Sequence, residues 1–158
     1  MILISHRGNT IGPMPSCENE PTYIDKAISE GFEVEVDVWF IETEQSGWQL
    51  FLGHDEPQYG VTPNWFTERT TKLWIHCKNI EAIEFFSATH SHYFWHQTDT
   101  VTLTSNNYIW AYPGNQPIKG SIAVMPETLD EDLSKCIGVC SDYIQKYTGV
   151  AKLVNTGY

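Results

Sequence analysis

Phe32-Glu33-Val34-Glu35-Val36-Asp37-Val38-Trp39-Phe40 is the stretch on which the fold turns. Acidic and branched apolar residues alternate in it without a break, which is the two-residue period of a β-strand. Glu33, Glu35 and Asp37 therefore project to one face, and Val34, Val36 and Val38 to the other. Two carboxylates this close on one face repel unless a cation or a proton lies between them. A hard divalent ion would meet that need. A solvent-facing acidic edge would need no ion at all, and Glu33 extends the row in that sense.

On the N-terminal side, Ile2 to Ser5 reads as a strand ending at His6-Arg7-Gly8. A helix follows from Pro21, with Tyr23, Ile24, Ala27 and Ile28 as its apolar stripe and Gly31 as its stop. On the C-terminal side, Glu44 to Gly47 reads as a turn, and Trp48 to Leu52 returns as a strand ending at Gly53-His54-Asp55. Thr62-Pro63 is suited to cap a short helix over Trp65 and Phe66. Leu73 to Cys77 is the next strand, and Asn79 caps a helix carrying Ala82, Ile83 and Phe86. Tyr93 to His96, Tyr108 to Tyr112, Ile122 to Met125 and Ile137 to Cys140 read as further strands. Thr128 to Glu131 has the spacing of a capping box and predicts another helix start.

Strands alternating with helices give an α/β fold. A complete (β/α)8 barrel takes about 250 residues, and the chain has 158. The connections between the later strands are also too brief for full helices. The expectation is one domain over residues 1–158, a TIM-type (β/α) barrel reduced in helices. It would be closed or nearly closed, with seven or eight mainly parallel strands.

Nine Lys and Arg stand against twenty Asp and Glu, a net charge of −11. Such a chain repels nucleic-acid backbones and anionic membranes, so no nucleic-acid partner is expected. A small phosphorylated ligand remains compatible, because a pocket needs only one or two local cations. No apolar run approaches the length of a membrane span. The start lacks the basic lead of a secretory signal. A cytoplasmic protein is expected, with Cys17, Cys77, Cys136 and Cys140 as reduced thiols filling space. Oligomeric state is not set by these features.

The polar residues gather at the carboxyl ends of the expected parallel strands: His6-Arg7, Glu35-Asp37, His76-Lys78, Tyr112 and Asp142. Ligands bind there in parallel α/β architectures. His54 is similarly placed after Phe51-Leu52-Gly53. Imidazole titrates near neutral pH, so His6 and His54 suit a base and an acid in one reaction. Either ring taken alone reads more readily as a hydrogen-bonded structural histidine. His76 and Lys78 share a face, and Lys78 would neutralise a phosphate or pair with Glu35 or Asp37. Trp39, Trp74, Trp95 and Trp110 read as core, with Trp110 and Tyr112 on one face that could line a pocket.

The ordered set His6-Arg7-Gly8, Glu18-Asn19, Gly31 leading into Glu35-Val36-Asp37-Val38, and His54-Asp55 resembles the glycerophosphodiester phosphodiesterases. They belong to the phospholipase-C-like phosphodiesterases, of which this chain looks like a shortened, divergent member. The resemblance covers roughly residues 1 to 80, and Gly138 to Tyr143 is similar to the family's last strand. It implies a TIM-type barrel, a divalent metal ion (Mg, Ca or Mn) and metal-assisted hydrolysis of a small phosphodiester, such as a glycerophosphodiester. By the same resemblance His6 and His54 are the acid/base pair, and Glu35 and Asp37 are metal ligands. Arg7 and Lys78 would hold phosphate, and Glu18 would brace the site. The family usually places a third metal-binding carboxylate two residues before the lysine. Here that position is His76, a poorer match for Mg²⁺ or Ca²⁺ than for Zn²⁺ or Mn²⁺. That departure and the missing length favour an alternative, a non-catalytic phosphate- or phosphosugar-binding domain on the same scaffold. A phosphosugar lyase or transferase is a third reading.

Overall fold

Both faces of the alternating strand are buried, and each is covered by different partners. The computed structural model describes residues 1–149. In it the stretch forms β2 (Glu33–Thr43), flanked by β1 (Ile2–His6) and β3 (Gly47–Leu52). Helix α1 (Pro21–Ser29) joins β1 to β2. Beyond β3 come β4 (Tyr59–Val61), α2 (Pro63–Thr67), β5 (Leu73–Cys77) and α3 (Ile80–Ser87). The rest is mostly short strands: β6 (Tyr93–Trp95), β7 (Val101–Leu103), β8 (Ile109–Ala111), β9 (Ser121–Val124) and β10 (Gly138–Ser141). Two 3₁₀ turns, Pro126–Thr128 and Ile144–Tyr147, complete the described chain.

All ten strands belong to one curled sheet. Its parallel part runs β6-β5-β2-β1-β10-β9-β8. The outer half of β2 turns back antiparallel with β3, which pairs with β4, and β7 lies antiparallel on β8. Two registers bring polar residues side by side. His6 lies opposite Glu35 across β1 and β2, and Asp37 opposite His76 across β2 and β5.

The expected TIM-type barrel is not what the chain forms. Such a barrel needs a helix after each strand, and the described residues hold three α-helices against ten strands. Among the described residues no ladder joins β6 to β7 or β8, so the sheet curls without closing. The Ser105 amide donates to the Tyr93 carbonyl at 2.8 Å, and the Thr102 hydroxyl to the Trp95 carbonyl at 2.9 Å, as isolated links across that gap. The β8–β9 connection contains Pro113, Gly114, Pro117 and Gly120, which break helices. The helix expected from Thr128 does not form either. Met125 and Asp130 both hold left-handed backbone, at φ 47° and 49°. The Glu131 carboxylate turns away from a capping role to accept the Gly114 and Gln116 amides, at 2.8 and 3.0 Å.

Where helices do form, their caps are those expected. Thr62 Oγ1 accepts the Trp65 amide at 3.3 Å, and Asn79 Oδ1 accepts the Ala82 amide at 3.2 Å. Val34, Val36 and Val38 pack outward with Ile75, Cys77, Ile24 and Phe86 beneath the helices. Ile4, Trp74, Phe94, Trp110, Ile122, Val124 and Cys140 fill the inside of the curl. Trp74 and Trp110 are thus core, as expected, whereas Trp39 and Trp95 are only half-buried. All four cysteines are free thiols. No described helix is long and apolar enough to cross a membrane.

Candidate functional site

The inward face of β2 delivers Glu35 and Asp37 to the carboxyl end of the parallel strands, with 2 % and 0 % exposure. That burial removes the solvent-facing acidic edge as an account of the pair. Glu33 sits apart at the other end of β2, half-buried, accepting the Trp74 indole N–H at 2.6 Å.

Asp37 lies deepest. Asn19 grips it twice: the Asn19 amide donates to Oδ2 at 3.0 Å, and the Asp37 backbone N–H donates to Asn19 Oδ1 at 3.0 Å. Arg7 Nε stands 2.9 Å from Oδ2. On the other oxygen, Oδ1, His76 Nδ1 stands at 3.0 Å and Lys78 Nζ at 3.4 Å. Burial alone would raise the Asp37 carboxyl, but His76 and Arg7 hold it well below the usual carboxylate range. Glu35 is shared between two rings, with His76 Nδ1 3.6 Å from Oε1 and His6 Nε2 3.9 Å from Oε2. Glu35 Oε2 and Asp37 Oδ1 are buried oxygens that accept no aligned hydrogen bond.

His76 is held from behind. Its Nε2 lies 3.0 Å from the His96 carbonyl, and its ring stacks on Phe94 at 4.9 Å with 8° between the planes. The carbonyl can only accept, so Nε2 carries the proton and Nδ1 faces the carboxylates. Burial opposes a charge on this ring, yet Asp37 and Glu35 push its pKa up to about 9. Without another cation present, a protonated His76 bridges the two acids. Glu35, Asp37 and His76 offer three ligand atoms within 4.8 Å of one another, and this group could hold a metal ion.

The two expected acid/base residues reach the same cavity. It has a volume of about 390 Å³, and His6, Arg7, Glu35, His54, His76 and Lys78 line it. Asp37 lies behind these residues and does not line it. Trp95, His96, Gln97, Trp110, Tyr112 and Val124 complete the lining. His96 stacks on Tyr112 at 3.7 Å, and burial pushes the Tyr112 hydroxyl upward, so it stays a neutral phenol. His6 is half-buried against Asp142, with Nδ1 2.8 Å from Oδ1. Burial would lower its pKa, but the Asp142 hydrogen bond and the Glu35 charge raise it. His54 is more open and bonds through Nδ1 to Asp55 at 2.7 Å. Gly53 makes the turn beneath it at φ 148°, where a Cβ would run into the Glu56 carbonyl oxygen.

Arg7 and Lys78 line the cavity, but each is also engaged with Asp37. Glu18 accepts Arg7 at 3.2 Å and Asn9 at 2.9 Å, so it lies where a brace would. The sequence alone assigns no role to Asn9, to the grip of Asn19 on Asp37, or to the Trp95-His96-Gln97 wall. Asn19 does carry a signal, as half of the Glu18-Asn19 pair. Trp95 ends a three-residue strand and His96 and Gln97 follow it, and nothing in their spacing marks them. Comparison of the chain with family models, curated proteins and solved structures found no match. Function is therefore read from the residues themselves.

Proposed function

We propose that this cavity hydrolyses a small phosphodiester with the help of a divalent metal ion. The observation that carries the reading is the pair of buried oxygens, Glu35 Oε2 and Asp37 Oδ1, left without aligned hydrogen bonds beside His76 Nδ1. Buried acceptors of this kind call for a partner. Two carboxylates and one imidazole, the latter fixed by a backbone carbonyl on its far nitrogen, form a coherent ligand set. A metal bound by Glu35, Asp37 and His76 would draw charge from a phosphoryl oxygen and make phosphorus a better electrophile.

The chain's own residues do the rest. Lys78 and Arg7 orient and neutralise the non-bridging oxygens. One of His6 and His54 takes the proton from the attacking water, and the other gives a proton to the departing ester oxygen as its P–O bond breaks. The aromatic lining from Trp95 to Tyr112 receives the ester substituent. A cavity near 390 Å³ suits a small molecule. The resemblance of residues 1 to 80 to glycerophosphodiester phosphodiesterases supports a glycerophosphodiester as the first substrate to try. The absence of a TIM-type barrel does not count against this chemistry, because function resides in the site. With His76 in place of a third carboxylate, Mn²⁺ or Zn²⁺ is favoured over Mg²⁺ and Ca²⁺.

The test is a screen of metal-free protein against glycerophosphodiesters and bis(4-nitrophenyl) phosphate, with each divalent ion added in turn. Product release that appears with Mn²⁺ and disappears with chelator supports the proposal. A second reading is favoured by His76 itself: protonated, it neutralises the acids without a metal, and Lys78, which lines the cavity, would meet a bound anion. Metal-independent phosphate binding without hydrolysis would establish that reading instead.

A further inference from the structure

The His76 ring has two supports of different kinds. Phe94 stacks on it at 4.9 Å, with 8° between the planes, and so sets the plane. A stack does not set which way round the ring lies. A half-turn about the Cβ–Cγ bond keeps the plane and puts Cδ2 where Nδ1 stood. The His96 carbonyl makes that choice, because it takes a proton from Nε2 at 3.0 Å and a ring carbon offers no equal donor. With Nε2 there, Nδ1 stands 3.0 Å from Asp37 and 3.6 Å from Glu35. The sheet does not hold this carbonyl in place. The ladder between β5 and β6 ends at Cys77 and Trp95, one residue before His96.

Its support comes from across the seam where the sheet fails to close. The His96 ring stacks on Tyr112, just past the end of β8, with centroids 3.7 Å apart and 22° between the planes. His96 Nε2 bonds to the Asp99 carbonyl, and the Tyr112 amide donates to the Thr100 carbonyl at 3.0 Å. Among the described residues no ladder spans this seam. Side-chain stacking therefore does there what strand pairing does elsewhere in the sheet.

We infer that His96 is a positioning residue for the metal site: its ring, stacked on Tyr112 across the open seam, fixes the carbonyl that keeps His76 Nδ1 turned toward Glu35 and Asp37. The effect on metal rests on the metal-binding role proposed for His76, whereas the placing of the His76 ring does not. Partners behind a metal-binding imidazole orient it, and their loss weakens the site. His96 and Tyr112 also line the cavity, so the residues that would receive an ester substituent are the ones that support the metal ligand.

The experiment is calorimetric titration of metal-free wild type, His96→Ala, His96→Phe and Tyr112→Leu with Mn²⁺, with NMR of the His76 Nε2–H in the same proteins before metal is added. His96→Ala keeps the main-chain carbonyl and loses only the ring, and Tyr112→Leu removes the other half of the stack. Both should lose about 10–100-fold in Mn²⁺ affinity, and in both the His76 Nε2–H should exchange faster with solvent. His96→Phe restores a stacking ring and should keep the wild-type affinity and the slow exchange. Wild-type affinity in His96→Ala and Tyr112→Leu overturns the inference, as does a loss in His96→Phe equal to that in His96→Ala. If His96→Ala does not fold, Tyr112→Leu decides alone by the same criterion. If wild type binds no Mn²⁺ but its slowly exchanging Nε2–H is lost in Tyr112→Leu, the positioning stands and the metal reading falls.

Discussion

At the scale of single residues, the site works by placing unlike neighbours around like groups. Glu35 and Asp37 project from the same face of one strand, but Asp37 is enclosed by Asn19, Arg7, His76 and Lys78 while Glu35 faces the cavity. If His6 and His54 are the acid and base, His6→Ala and His54→Ala should each lower kcat by about 10²–10⁴-fold. Steady-state turnover of a diester checks this, and near wild-type rates in both would make the rings structural. His92 provides a control away from the cavity. Its ring packs 4.1 Å from Trp74, its Nε2 lies 2.8 Å from the Thr104 hydroxyl, and burial lowers its pKa to about 4. The unfolded chain, near 6.5 at this residue, takes up the proton first. The contribution of a neutral His92 is therefore present in full above about pH 6.5 and drains away as pH falls toward 4. Melting temperature across that range should fall in wild type and fall less in His92→Gln. An equal decline in both would show that His92 is not the group responsible.

At the scale of elements, α3 is stitched to β2 through one side chain. Asn79 Oδ1 accepts the Ala82 amide as a helix cap and the Phe40 amide at 3.1 Å, while its amide donates to the Phe40 carbonyl at 2.8 Å. Asn79→Ala removes a cap and two links to the strand. A loss of about 2–3 kcal/mol is expected from denaturant unfolding. A loss below about 0.5 kcal/mol would mean that packing alone holds α3 in place. The elements also show what the sequence makes legible. The alternation in β2 and the caps at Thr62 and Asn79 are local signals, and they correspond to what forms. β4 and β7 are not legible, although β6 and β8 are as short: Tyr59-Gly60-Val61 is interrupted by a glycine, and Val101-Thr102-Leu103 turns its apolar residues outward. The Thr128 helix fails because a capping box describes side chains, whereas the left-handed backbone at Met125 and Asp130 decides the path.

At the scale of the molecule, the strand ends are legible in the sequence and the architecture is not. His6, Glu35, His76 and Lys78 reach one cavity because parallel pairing brings carboxyl ends together, His54 arrives on the antiparallel return of β3 against β2, and neither pairing needs a full complement of helices. The barrel expectation extends a resemblance limited to residues 1 to 80 over a second half whose connections are too short and too rich in Pro and Gly. The 3₁₀ turn Ile144–Tyr147 covers β1 and β10, with Ile144 packed beside Val139. The proposed hydrolysis depends on a divalent ion held by Glu35, Asp37 and His76. Calorimetric titration of metal-free wild type and His76→Glu with Mn²⁺ and Mg²⁺ tests it most directly. Wild type should bind Mn²⁺ in preference to Mg²⁺, and His76→Glu should gain Mg²⁺ affinity relative to Mn²⁺. Absence of binding of either ion to either protein, even with a phosphodiester present, would contradict it.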